Sequence, residues 1–247
     1  MMWLLRRALI AVVFAITATA AVFAADDPTI QSRYDIVIAR AQALMMVDPR
    51  AAVPVAKDAA TIAQRQIDPK QRTLMLARAK WLTGEAYLRI DELNTAAPFI
   101  RAALKAAEQA APKSKLEADI MLSLAWIATE QGDVATALDL CQKSFRIYHT
   151  LKDARSEARA LIQIASLYYV ANDWKGALKY HREALETFNA DRGLAASIHN
   201  GQGNALKELG NVREAQIEFD AARTLAREMK SPLLEATVLN NMARMAL

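Results

Sequence analysis

Apolar positions return every three or four residues along most of this chain, and short polar breaks separate the apolar stretches. One stretch carries Leu161, Ile164, Ala165 and Tyr168, breaks at Asn172-Asp173, and resumes with Ala177, Leu178, Tyr180, Ala184 and Leu185. The next carries Gly203 and Leu206, breaks at Gly210-Asn211, and resumes with Ala215, Phe219 and Ala222. Upstream, Ala125 precedes the break Gly132-Asp133 and then Ala137, Leu138 and Phe145. Before that, Gly84 and Tyr87 precede Asp91-Glu92 and then Ala96, Ala103 and Leu104. This pattern predicts pairs of amphipathic helices joined by very short turns. The small residues Gly84, Ala125, Ala165 and Gly203 recur at intervals of 41, 40 and 38 residues, so the pair is an internal repeat. They let the first helix of each pair approach the second closely, and Ala96, Ala137, Ala177 and Ala215 do the same from the other side.

These units resemble the tetratricopeptide repeat: a small residue, an aromatic three positions on, a tight turn, then spaced alanines. The interval exceeds the family's usual length of about 34 residues, and the extra residues are expected between hairpins, at 111–114, 152–153 and 190–193. Similar longer repeats are found in bacterial signalling proteins. The resemblance implies an all-α fold, a right-handed α-α superhelix of stacked hairpins. A single hairpin cannot bury both its faces, so stability comes from stacking. The expected organisation is a signal peptide at 1–24, a degenerate capping hairpin at 25–69, three hairpins at 70–231, and at 232–247 the first helix of an incomplete further repeat. In the capping hairpin, a helix over Ile36–Met46 is followed by one that Asp48-Pro49 starts and Ala52, Ala56 and Ala59 line, with Pro54 in its first turn. In the last segment Leu233, Leu234, Val238, Leu239, Met242, Met245 and Leu247 are spread around the helix, whereas a closing helix needs a polar outer side. The chain is therefore expected to be the front part of a longer protein, with a bound partner or a dimer contact over this helix as the alternatives.

Composition agrees with long packed helices: 53% of residues are apolar and only 6% aromatic, with 7 Gly and 7 Pro to make turns. The leader has a basic start through Arg7, an apolar run from Ala8 to Phe23, and small residues at Val22-Phe23-Ala24 that suit cleavage before Ala25. That run is shorter than the roughly 20 residues of a membrane span, so cleavage and export are expected, and a membrane link would need an uncleaved leader or a segment downstream. Removing Arg6 and Arg7 leaves 29 of the 31 basic groups against 27 acidic ones, a balance near +2. No basic run interleaves with aromatics, which argues against nucleic acid. Cys141 is the sole cysteine, excluding an internal disulfide, and its neighbours Leu138 and Leu140 mark it as packing. His149, His181 and His199 lie on different helices with no metal-ligand spacing, and Gly201-Gln202-Gly203 lacks the strand and third glycine of a dinucleotide loop. Neither a catalytic set nor a cofactor or metal site is expected, and the chain is read as no enzyme.

In the resembled family the first helices line a concave groove that binds a peptide or protein. Carried over, the groove holds Trp81, Glu85 and Leu88, then Leu122, Trp126 and Thr129, then Ile162, Ser166 and Tyr169, then Asn200, Asn204 and Lys207, and last Asn240 and Arg244. Asn amides pair with an extended backbone whatever its side chains, and Lys207 and Arg244 attract a carboxylate. The 40-residue spacing of Asn200 and Asn204 to Asn240 and Arg244 predicts that these pairs fall side by side on adjacent hairpins. The resemblance further implies a periplasmic, sensory segment of a membrane signalling protein of the diguanylate cyclase or histidine kinase type. A free-standing envelope scaffold, or an accessory subunit of an envelope enzyme, is the alternative.

Overall fold

The computed structural model describes residues 29–245; the leader, Ala246 and Leu247 lie outside the described residues. Eleven helices and no strands make up the described residues: α1 (Ile30–Val47), α2 (Pro49–Ala63), α3 (Pro69–Arg89), α4 (Leu93–Ala110), α5 (Lys115–Glu130), α6 (Val134–Leu151), α7 (Ala154–Val170), α8 (Trp174–Thr187), α9 (Arg192–Glu208), α10 (Val212–Glu228) and α11 (Pro232–Ala243). Consecutive helices pack as five hairpins, α1–α2 through α9–α10, each stacked on the next, and α11 stacks on α10, so residues 69–228 hold four hairpins where three were expected. First helices of successive hairpins also meet directly, α1 with α3, α3 with α5 and α7 with α9, while the second helices do not pack on one another to the same extent. The first helices therefore form the inner side of the stack.

Small residues set the spacing within hairpins. Ala96, Ala137, Ala177 and Ala215 are fully buried, and a methyl group added to Gly84 would overlap the Ile100 side chain. A methyl group on Gly203 would stand 2.7 Å from the Phe219 ring. The capping hairpin follows the same rule, with Ala52, Ala56 and Ala59 fully inside. Its details differ from expectation. Helix α1 starts at Ile30, where Thr29 caps it, and Pro54 sits in the second turn of α2. The carbonyl that Pro54 leaves without its helical donor belongs to Arg50, an exposed residue.

The longer repeat is also accommodated differently. Only Lys152 and Asp153 separate α6 from α7, so much of the added length lies in the helices, which reach 21 residues in α3. The turns are short because one pair of residues ends one helix and starts the next. Lys152 takes a left-handed conformation (φ 55°), Asp153 N–H donates back to the Tyr148 carbonyl, and the Asp153 carboxylate accepts from the Ser156 N–H at 3.1 Å. Gly132-Asp133 and Asn172-Asp173 repeat this arrangement, as the sequence leads one to expect, but a lysine in the left-handed position has no sequence signal. Lys152→Gly removes the Cβ crowding there, and the net gain after glycine's entropic cost should be about 0.5–1 kcal/mol. Thermal midpoints compared at equal pH check it; an unchanged or lower midpoint means the lysine side chain stabilises the turn by more than its backbone costs.

Candidate functional site: the inner side of the stack

The inner side begins with a pocket of about 560 Å³ where α1, α3 and the start of α5 converge. Leu74, Leu116 and Trp81 form apolar wall, and Gln31, Asp35, Gln71, Arg78, Lys115 and Asp119 bring polar groups to it. Tyr34 closes the floor: its ring is buried and its hydroxyl donates to the Met75 carbonyl at 2.7 Å. Burial pushes the Tyr34 hydroxyl pKa up, so it stays a neutral donor.

Most polar groups here are already engaged. The Gln71 amide donates to Gln31 at 3.1 Å, and Gln31 donates to the Asp35 carboxylate at 3.0 Å. Lys115 reaches Asp153 and Ser156 on the next hairpin. Asp119 accepts from the Tyr148 hydroxyl at 2.8 Å, with Arg159 at 3.6 Å. Burial first, and then the Asp119 charge, push the Tyr148 pKa upward. The Gln71–Gln31 bond links α1 to α3, and the Lys115 and Arg159 contacts link α5 to α7, so these cross between hairpins, while Tyr148–Asp119 ties α6 to α5 within one hairpin.

Further along, Trp81 is half-buried and its indole N–H donates to the Ser123 hydroxyl at 2.8 Å; Ser123 in turn donates to Glu85. Trp126 is 38% exposed on the inner side, Ser166 is exposed, and Thr129 and Ile162 are partly covered. Two expected groove residues are not on the surface. Leu88 and Leu122 are 3% and 2% exposed and belong to the cores between hairpins. The open strip of each first helix is about one residue wide per turn, and a step to either side enters a neighbouring helix.

At the far end three expected residues meet around one that the sequence reading did not name. The Tyr169 hydroxyl donates to Glu208 at 3.2 Å, and Lys207 lies 3.1 Å from the same carboxylate oxygen. The Lys207 hydrogen bond, with Tyr169 and nearby Arg244 adding to it, holds the Glu208 pKa below the usual carboxylate value. Lys207 is thus neutralised within the fold and is not a free cation awaiting a ligand carboxylate. The expected Asn ladder is shifted by one residue: Asn200 accepts from the Asn241 amide at 2.9 Å, while Asn240 and Arg244 are exposed. Asn204 stays half-buried on α9. Glu208 could have been found from its place 39 residues after Tyr169, one repeat along, and Arg78 from its place one turn before Trp81.

Other groups on the inner helices have structural partners. His199 bonds to Glu218 at 2.7 Å, and the Gln202 amide, when turned so that its nitrogen donates, reaches the same carboxylate at 2.9 Å, tying α9 to α10. Cys141 is buried, which pushes its thiol pKa up to about 12. Among the described residues no cluster of His, Cys, Asp or Glu has the make-up of a metal site, and no helix is long and apolar enough to cross a membrane.

Residues 116–190, spanning α5 to α8, match the family model described as tetratricopeptide repeat. The fold is a tetratricopeptide-type solenoid. Solved structures share it across most of the chain. BtubC (BKLC) from P. vanneervenii is 19% identical with a TM-score of 0.64, over 83% of this chain and 93% of that one. A Rap protein complexed with competence and sporulation factor is 15% identical with a TM-score of 0.74, over 89% of this chain and 64% of that one. The Rap conjugation gene regulator of plasmid pLS20, in complex with the Phr* peptide, is 12% identical with a TM-score of 0.71, over 85% and 57%. No curated protein matches the solenoid by sequence.

Proposed function

We propose that the inner side of the solenoid binds an extended segment of another polypeptide and that the chain performs no catalysis itself. The observation that carries this is the row of accessible side chains along successive first helices, from the α1–α3–α5 pocket through Trp126 to Tyr169 and Asn204, on a scaffold whose own cores are already filled. An aromatic and amide lining suits a peptide: aromatic faces take apolar side chains and amides take its backbone. The Rap regulator solved with the Phr* peptide supports the reading, since a related stack of helices accommodates such a ligand there. On this proposal the chain is exported by the leader at 1–24 and serves as the interaction or sensory segment of a larger bacterial signalling protein. Signalling then requires the partner to bind two arrangements of the stack unequally.

A photo-crosslinking residue placed at Trp126, and separately at Lys179, which is exposed on the second helix α8, tests the reading in native cells. Light-dependent bands of higher mass are expected from position 126 and not from 179. Equal crosslinking from both, or none from 126, would sink the proposal. Cell fractionation tests export: retention of the uncleaved chain in the cytoplasm overturns the periplasmic part alone.

A further inference from the structure

The α1–α3–α5 pocket holds four charged side chains, and three of them have partners. Asp35 accepts from Gln31, Lys115 pairs with Asp153, and Asp119 is held by Tyr148 and Arg159. Arg78 differs: it is half-buried, lines the pocket, and makes no hydrogen bond or ion pair among the described residues. A guanidinium removed from part of its water and given no acceptor is a standing site for an anion, and its planar fork fits a carboxylate through two parallel N–H bonds. Asp35 tempers the positive field, but it is exposed, bonded to Gln31, and forms no ion pair with Arg78 among the described residues. The walls beside Arg78 are Leu74, Leu116 and Trp81, so whatever brings the carboxylate must also bring apolar surface. A volume of about 560 Å³ admits a large side chain with part of its backbone, and not a folded element.

We infer that this pocket is the specificity site of the inner side: it takes an Asp or Glu of the bound peptide on Arg78 and the adjacent large apolar residue against Leu74, Leu116 and Trp81. The inference rests on the peptide-binding reading. It places sequence choice at the α1–α3–α5 end, whereas Asn204 and Trp126 contact the peptide with little regard to its sequence.

The test uses the full chain on an array of amidated hexapeptides, Gly-Gly-X-Z-Gly-Gly, covering every X-Z pair, at low salt. Pairs that join Asp or Glu to Leu, Ile, Met, Phe, Tyr or Trp are expected to bind about 10-fold more strongly than the Asn or Gln counterparts, as one charged bidentate contact implies. Arg78→Gln should abolish that preference, and Arg78→Lys should restore it in part; thermal melts confirm that both variants fold. Binding led by uncharged pairs, or an acidic preference unchanged in Arg78→Gln, overturns the pocket assignment while leaving the peptide reading standing. Sodium octanoate forms a second arm, read by indole fluorescence. If octanoate quenches the wild-type signal but not that of Arg78→Gln, and no peptide binds, the pocket is a small-carboxylate site and both peptide readings fall. Silence from both probes overturns both as well.

Discussion

Phe219→Ala is expected to lower the unfolding free energy by about 3–5 kcal/mol, the usual cost of emptying a fully buried aromatic site. Phe219 is wholly inside, between α9, α10 and the base of α11, in the cluster that includes Leu206, Ala215 and Val238. Its ring lies close against Gly203, where a methyl group would be 2.7 Å away. The two positions are therefore one fit, and a second substitution separates that fit from simple loss of apolar area. Gly203→Ala gains about 1 kcal/mol in helix propensity but forces the ring to move, and overpacking of a closed core costs about 1–3 kcal/mol, so a net loss is expected. Adding Phe219→Leu shortens the side chain facing the new methyl. The double variant should then lose less than the sum of the singles, with a coupling of at least 0.5 kcal/mol as expected for residues in contact. Urea unfolding of the four proteins supplies the cycle. Strict additivity would mean that the ring and the glycine do not share space, and that α9 and α10 are held at their distance by something else.

Much of this packing was legible in the chain because it is written as a repeat. Gly84, Ala96, Ala137, Ala177, Gly203 and Ala215 each occupy a crossing point where only a small residue fits, and their spacing alone marks them. The inner face was legible only coarsely. A stripe at helical spacing identifies which side of a first helix faces inward, but the open strip is narrow, and a one-residue error puts Leu88 and Leu122 on the surface when they are core. The same one-residue resolution assigned Asn240 a place that Asn241 holds. Partners across hairpins were beyond reach for a different reason. The neutralisation of Lys207 by Glu208, with Tyr169 behind it, depends on rotamers and on the exact stagger between α7 and α9, neither of which a repeat length fixes. The pocket was missed because it arises where three helices fail to close against one another, and no single helix records that gap.

His181 gives the second large effect, this time through pH. It lies on α8 with 5% of its surface exposed, and the backbone of α9 crosses its ring at Gly201, where a methyl group would overlap the imidazole. Its Nδ1 is buried without a partner among the described residues. Burial without a compensating charge disfavours the imidazolium and lowers the pKa to about 4. In the unfolded chain the group titrates near its ordinary value of about 6.5. Above that value neither state carries the proton and the stability is undiminished. As the pH falls from about 6.5 towards 4, the unfolded chain takes up a proton that the folded one refuses, so stability is lost through this window. Between pH 7.5 and pH 5 the loss should be about 2 kcal/mol, from a difference of this size in pKa. His181→Leu keeps an apolar side chain of similar bulk and removes the titrating group, so its stability should stay flat over the same window. Urea midpoints for both proteins at half-unit steps give the difference curve, in which other titrating groups cancel. Parallel curves would mean that His181 is hydrated or protonated in the folded state, and that α8 and α9 do not close over it as the structure shows. A difference that opens below pH 6.5 and saturates near pH 4 would place an acid-sensitive contact at the α8–α9 junction, between the Tyr169 and Asn204 portions of the inner face.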